Sequence, residues 1–198
     1  MPSFASLLLF AGSIIFSAWQ RLVAGPASYL NIEDPDIFSH STIDQPPFSD
    51  IWEESNDAAV NLGTYAPLAH LLRQAVRWYI DPSALTCVRA SLALHLAAAA
   101  AIVPVSCMLL AEYDRLRERP IRSNLPGVSV SAAIVWAIHP LAVEVVVWPS
   151  AQPYALCALL VVLSSGAHLF TLCGNRPLYL RLVGQSIALM LFAGAILS

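Results

Sequence analysis

Two groups of residues in this chain have the types and the spacing that could carry chemistry. The first is Glu33-Asp34-Pro35-Asp36, whose carboxylates could act as a general base toward an acceptor hydroxyl. The second is His139 with Glu144, two ionisable side chains within an otherwise apolar stretch. An unpaired ionisable group costs several kcal/mol at membrane depth, so such residues indicate function wherever their segment spans a bilayer.

Histidines in apolar stretches have two interpretations. His95 and His139 could contribute to a binding site, or each could be a neutral core histidine bonded to a backbone carbonyl. Pro140 weakens a helix because it has no N–H. On an unbroken helix His139 and Glu144 point about 140° apart, at roughly 100° per residue. They meet at one site only if the helix breaks near Pro140 or another helix lies between them.

The composition predicts that membrane helices position these residues. The chain has 198 residues, of which 58% are hydrophobic and 12% charged, and a net charge of −3. Soluble domains carry about 25% charged residues, and the mean hydropathy here is +0.66. All basic residues are Arg, and they form no stripe suited to nucleic acid. We therefore predict an all-α polytopic integral membrane protein and no nucleic-acid partner.

Five apolar stretches approach the roughly 20 residues that a bilayer-spanning helix needs. They cover residues 4–24, 85–111, 128–148, 154–172 and 180–198. We expect residues 1–24 to be a retained anchor rather than a cleaved signal peptide, because no basic segment precedes the apolar stretch. Residues 25–82 are expected to form a long polar loop, and 83–198 a helix bundle. The last stretch stops at Ser198 without a polar cap, so we expect an N-terminal fragment of a longer protein.

Charge predicts the sidedness of these segments. The first part of the 25–82 loop contains eight acidic residues and no basic residue: Glu33, Asp34, Asp36, Asp44, Asp50, Glu53, Glu54 and Asp57. The links around 112–124 and 173–181 carry arginines, and short arginine-rich links face the cytoplasm. The acidic loop is then lumenal and the N-terminus cytoplasmic.

The part of the loop from 64 to 80 has the pattern of an interfacial amphipathic helix. After Pro67 the apolar residues follow helical spacing: Leu68, Leu71, Leu72, Ala75 and Tyr79. His70, Arg73 and Arg77 share another face. One interpretation is anchorage to lipid headgroups. The other is that Arg73 or Arg77 neutralises the phosphate of a lipid-linked substrate.

The order of these features resembles a known family. The matching motifs are Asn31-Ile32-Glu33-Asp34-Pro35, Tyr65-Ala66-Pro67-Leu68, Leu92-Ala93-Leu94-His95, and His139-Pro140-Leu141-Ala142-Val143-Glu144 with Trp148. Over about residues 29–160 the chain is similar to the transmembrane and tetratricopeptide-repeat-containing O-mannosyltransferases and their bacterial relatives. The motif in the third stretch is the most specific part of this resemblance.

The resemblance implies a membrane glycosyltransferase of the C-type fold in the endoplasmic reticulum. Such enzymes transfer mannose from dolichyl phosphate to Ser or Thr of lumenal proteins. By resemblance, Glu33 and Asp34 activate the acceptor, and His139 and Glu144 occupy the signature positions of the third stretch. Together with the residues singled out above, we expect the donor site to include His139, Glu144, His95, Arg73, Arg77 and Gln152. No metal ligand is assigned, and the lipid-linked sugar is a substrate rather than a cofactor.

Three positions depart from the family pattern. Ala66 stands where relatives usually carry Arg or His, and Gln152 and Tyr154 stand where they tend to carry Arg and Asp. Glutamine cannot replace the fixed charge and bidentate geometry of arginine toward a phosphate. The alternative function is therefore a non-catalytic membrane scaffold or assembly protein that keeps the family architecture.

Overall fold

The computed structural model describes residues 66–80, 84–121, 123–139, 145–146, 151–173 and 176–198, without the side chains of 84 and 85. Five helices lie in these ranges: α1 (Pro67–Tyr79), α2 (Ala84–Leu116), α3 (Leu125–Ala137), α4 (Gln152–Leu172) and α5 (Leu178–Ile196). Glu33, Asp34, Glu144 and the predicted first span lie outside the described residues.

Three of these helices, α2, α4 and α5, are long and apolar enough to cross a membrane. At about 1.5 Å per residue, the 21 residues of α4 extend about 31 Å, close to the roughly 30 Å of a hydrocarbon core. These helices correspond to the predicted stretches 85–111, 154–172 and 180–198. The chain is thus an all-helical integral membrane protein in its described part.

The predicted stretch 128–148 contains a shorter helix than expected. α3 has 13 residues and ends at Ala137, before Pro140. Proline has no N–H to donate to the Trp136 carbonyl, and it disfavours helical geometry at the residue before it. The Trp136 carbonyl instead accepts the backbone N–H of His139 at 3.3 Å. The sequence left open whether the helix breaks near Pro140. In the structure, α3 ends three residues before this proline.

Helix α2 lies between α3 and α4, and α5 packs against the other side of α4. α3 runs antiparallel to α2, since His95 bonds the Ala137 carbonyl and Cys107 bonds Ser129. α5 runs antiparallel to α4, since Ser164 of α4 donates to the Ala188 carbonyl at 2.8 Å and Gly184 of α5 lies against Thr171. Small residues allow close approach along these seams. A Cβ atom on Gly166 would lie 2.8 Å from Cγ2 of Val105.

Helix α1 packs at one end of this layer. The Leu68 N–H donates to the Leu197 carbonyl at 3.0 Å, which joins the start of α1 to the end of α5. We call this the α1 end: α2 and α4 begin there, and α3 and α5 finish there. The opposite end is the arginine end, which carries the exposed side chains of Arg115, Arg117, Arg119, Arg176 and Arg181.

Candidate functional site at the α1 end

The face that α1 buries differs from the apolar face that its sequence predicts. α1 begins at Pro67, whose missing N–H costs nothing in a first helical turn. Its buried residues are Pro67, Ala69, Arg73 and Val76. Tyr79, which belongs to the predicted apolar face, is 71% exposed. α1 packs on α2 and α4, so its small residues and Arg73 meet the bundle while its bulkier side chains are less covered.

Arg73 is the most informative predicted residue at this end. Its side chain is only 5% exposed, and burying a guanidinium is costly unless charged or polar groups compensate it. Arginine is also the side chain that binds phosphate in a bidentate manner. Arg77, one turn later on α1, is half-buried. Both arginines therefore lie on the helix that packs against the start of α2 and α4.

His70 of α1 has a shifted pKa that reflects its burial and the charge of Arg73. Burial, together with the positive charge of Arg73, lowers the pKa of His70 from 6.5 to about 4. Burial is the larger cause, because it removes water from the charged form. His70 is therefore neutral near pH 7, and it adds no second positive charge beside Arg73.

His95 adopts the carbonyl-bonded arrangement, one of the two interpretations that the sequence left open. It is 5% exposed, and its Nε2 lies 3.1 Å from the carbonyl oxygen of Ala137. A carbonyl only accepts, so Nε2 donates and a neutral ring carries its proton there. The ring also stacks on Trp136, with centroids 4.4 Å apart. His95 thus holds the C-terminal end of α3 against α2.

His139 lies two residues beyond the end of α3, and its side chain is exposed. It shares the α1 end with His95, but it is not buried with it. Glu144 lies outside the described residues, so the predicted convergence of His139 and Glu144 stays a prediction.

Gln152 and Ser91, which the sequence did not single out, are two further buried polar side chains at this end. Gln152 is the first residue of α4, and its side chain is 0% exposed; Ser91 of α2 is also 0% exposed. Serine is not ionisable, so it does not stand out in an apolar stretch as a histidine or a glutamate does. One signal was present: Ser91 lies four residues before His95, on the same face of the helix. We call Arg73, Ser91, His95 and Gln152 the α1-end polar residues.

Among the residues that the structure describes, no group of three or more His, Cys, Asp and Glu could hold a metal ion. The α1-end polar residues comprise one guanidinium, one imidazole, one hydroxyl and one carboxamide. Such a set suits a ligand that combines a phosphate with uncharged hydroxyls.

Comparisons of this chain with protein-family models, with curated proteins and with solved structures find no match.

Proposed function

We propose that this chain is the membrane part of a glycosyltransferase of the endoplasmic reticulum. It transfers mannose from a dolichyl-phosphate-linked donor to Ser or Thr of lumenal proteins. The observation that carries the proposal is the burial of Arg73 on a helix packed against the start of two membrane helices. A buried guanidinium at that position suits the phosphate of a lipid whose chain lies in the bilayer.

The chemistry needs little beyond positioning and charge stabilisation. The acceptor hydroxyl oxygen forms a bond to the anomeric carbon of mannose, and the bond from that carbon to the phosphate oxygen breaks. The acceptor proton goes to the carboxylate of Glu33 or Asp34. The lipid phosphate leaves with the bonding electron pair, and Arg73 stabilises its negative charge.

The test uses the full chain in vesicles with radiolabelled mannosyl phosphoryl dolichol and a Ser/Thr-rich acceptor peptide. Arg73→Gln should lower transfer about 10- to 100-fold, the range for losing a hydrogen bond to a charged group. Arg89→Gln is the matched control, because Arg89 is an exposed arginine near the same end of α2. Glu33→Gln and Asp34→Asn separate the two acids, and unchanged transfer in both would refute their role as base.

A second candidate function is that of a non-catalytic scaffold. The observation that favours it is the neutral, fully buried amide of Gln152. It occupies the position where the resemblance implies an arginine, and glutamine does not stabilise a leaving phosphate electrostatically. A scaffold predicts no transfer by the wild-type chain, while crosslinking in the membrane recovers a stable complex with other proteins. Mannose transfer that depends on Arg73 would exclude this alternative.

A further inference from the structure

Two fully buried side chains at the α1 end have polar atoms that bond to nothing in the described part of the chain. They are the hydroxyl of Ser91 and both amide atoms of Gln152. Both side chains are 0% exposed. Buried polar atoms are nearly always hydrogen-bonded, because an unmade bond costs the full desolvation of the group. Three such atoms at one end of the bundle therefore require an explanation.

Helix serines have a local way to satisfy their hydroxyl, and other serines of this chain use it. Ser131 donates to the carbonyl of Gly127 and Ser165 to that of Val161, each at 2.9 Å. Both are exposed. Ser91 makes no such bond to its own helix, although it is fully buried. Its hydroxyl hydrogen and lone pairs are thus left for a group outside α2.

Ser91 and Gln152 are both buried toward the α1 end of two helices that pack against each other. Val105 of α2 lies against Gly166 of α4, and seven residues later the side chains of Glu112 and Cys173 interact. The two helices therefore run parallel over this stretch, and both begin at the α1 end. Ser91 and Gln152 each lie fourteen residues before the first contact, from 105 to 91 and from 166 to 152. Fourteen residues are two heptads, which return to the same seam of a packed helix pair.

We propose that Ser91 and Gln152 bind an uncharged, hydroxyl-bearing group, namely the sugar ring of the lipid-linked donor. This inference rests on the proposed function and names the part of the site that recognises the sugar. A serine hydroxyl and a carboxamide both donate and accept hydrogen bonds without carrying charge. That combination complements sugar hydroxyls, whereas the phosphate of the same donor suits the guanidinium of Arg73 on the helix packed against α2 and α4.

Both side chains are buried in the ligand-free structure, so the groups that cover them must move before a ligand reaches them. We therefore expect slow association of the sugar-bearing lipid.

The test measures binding of two probes, farnesyl phosphate and farnesyl phosphoryl mannose, to the full chain in nanodiscs. The wild-type chain should bind the mannosyl lipid at least about tenfold more tightly than farnesyl phosphate. One to two hydrogen bonds to neutral groups contribute a difference in affinity of this size. Ser91→Ala and Gln152→Leu should each bring this ratio toward one and leave farnesyl phosphate affinity unchanged. Ser131→Ala, which removes an exposed hydroxyl, should keep the wild-type ratio. Arg73→Gln should weaken both probes alike.

The outcomes separate this inference from the proposed function. Equal binding of the two probes by the wild-type chain would overturn the sugar site while phosphate recognition stands. Binding of neither probe would overturn the proposed function itself.

A measurement without ligand checks whether the two variants merely damage the fold. Ser91→Ala and Gln152→Leu remove atoms that bond to nothing in the described residues, so the melting temperature of the ligand-free protein should stay the same or rise. Ser164→Ala is the contrast, because the Ser164 hydroxyl donates to the Ala188 carbonyl, and its melting temperature should fall. A clear fall for Ser91→Ala and Gln152→Leu would assign them a structural role and overturn the proposal.

Discussion

The imidazole Nε2 of His95 lies 3.1 Å from the carbonyl oxygen of Ala137, the last residue of α3. A helix that stops before a proline leaves carbonyls without their usual N–H donors. The core of a bilayer contains no water that could donate hydrogen bonds to such carbonyls. His95 supplies the missing donor from the neighbouring helix, and its ring stacks on Trp136 at the same time.

The first prediction separates these two roles of His95. His95→Phe keeps a ring against Trp136 but loses the donor, so it should lower the free energy of unfolding by about 1 kcal/mol. His95→Ala also leaves a cavity and should cost about 2–3 kcal/mol. The measurement is unfolding of the purified protein by SDS in mixed micelles.

The control for His95 is His168→Phe, because His168 bonds Gln185 at an exposed position between α4 and α5. It should change stability by less than His95→Phe. Wild-type stability of His95→Phe would show that the bond to Ala137 contributes nothing.

The second prediction concerns the close approach of α4 and α5. A Cβ atom at Gly184 would lie 2.5 Å from Cγ2 of Thr171, and Thr171 is held in place by its hydroxyl, which donates to the His168 carbonyl at 2.7 Å. Gly184→Ala should therefore destabilise the protein by about 1–3 kcal/mol, as for other overpacked sites. The same micelle unfolding experiment measures it.

Two variants test the cause of that loss. Thr171→Ser removes the methyl group that clashes, so the double variant with Gly184→Ala should recover much of the stability. Gly127→Ala is the neutral comparison, because nothing lies within 4 Å of the Cβ it adds. Equal losses at Gly184 and Gly127 would contradict the packing explanation.

The third prediction is a pH dependence that arises from His70. Its pKa is lowered to about 4 in the folded protein, against about 6.5 in an unfolded chain. The unfolded state therefore binds more protons in between, and stability falls as the pH drops from about 6.5 toward 4. After allowance for the partial exposure of His70, the loss between pH 7 and pH 5 should be about 1 kcal/mol.

Melting temperatures of wild type and His70→Gln at pH 7 and pH 5 measure this effect. Glutamine cannot titrate, so the variant should lose less stability than wild type on acidification. Carboxylates contribute equally to the pH dependence of both proteins. The difference between the two changes in melting temperature is therefore due to His70. Identical pH dependence in the two proteins would rule out this role.

The fourth prediction concerns which side of the membrane each end of the bundle faces. In a variant with the native cysteines replaced, single cysteines at Asp34, Tyr79 and Ser123 report three positions. Arginine-rich links face the cytoplasm, so Ser123→Cys, between α2 and α3, should react with a membrane-impermeant maleimide in sealed microsomes. Asp34→Cys and Tyr79→Cys should react only after detergent opens the vesicles. Cytosolic labelling at position 34 would remove Glu33 and Asp34 from the proposed chemistry.

The sequence by itself determined that the chain is helical and membrane-embedded. Long runs of apolar residues in α2, α4 and α5 leave a helix as the only way to satisfy the backbone in lipid. The start of α1 at Pro67 was also readable, because proline fits a first helical turn. Sidedness, the span 4–24 and the acids Glu33 and Asp34 stay predictions from charge and resemblance.

The tertiary structure alone decided which polar side chains are buried. The sequence placed Arg73 on the face of α1 away from its leucines, yet packing of α1 on α2 and α4 covers it. It also decided that Ser91 and Gln152, sixty-one positions apart in the chain, are both buried at the α1 end. The spacing of apolar and polar residues in the sequence indicates which residues share a face of one helix. The partner that covers a face, and the register against it, depend on close contacts between helices such as Val105 with Gly166.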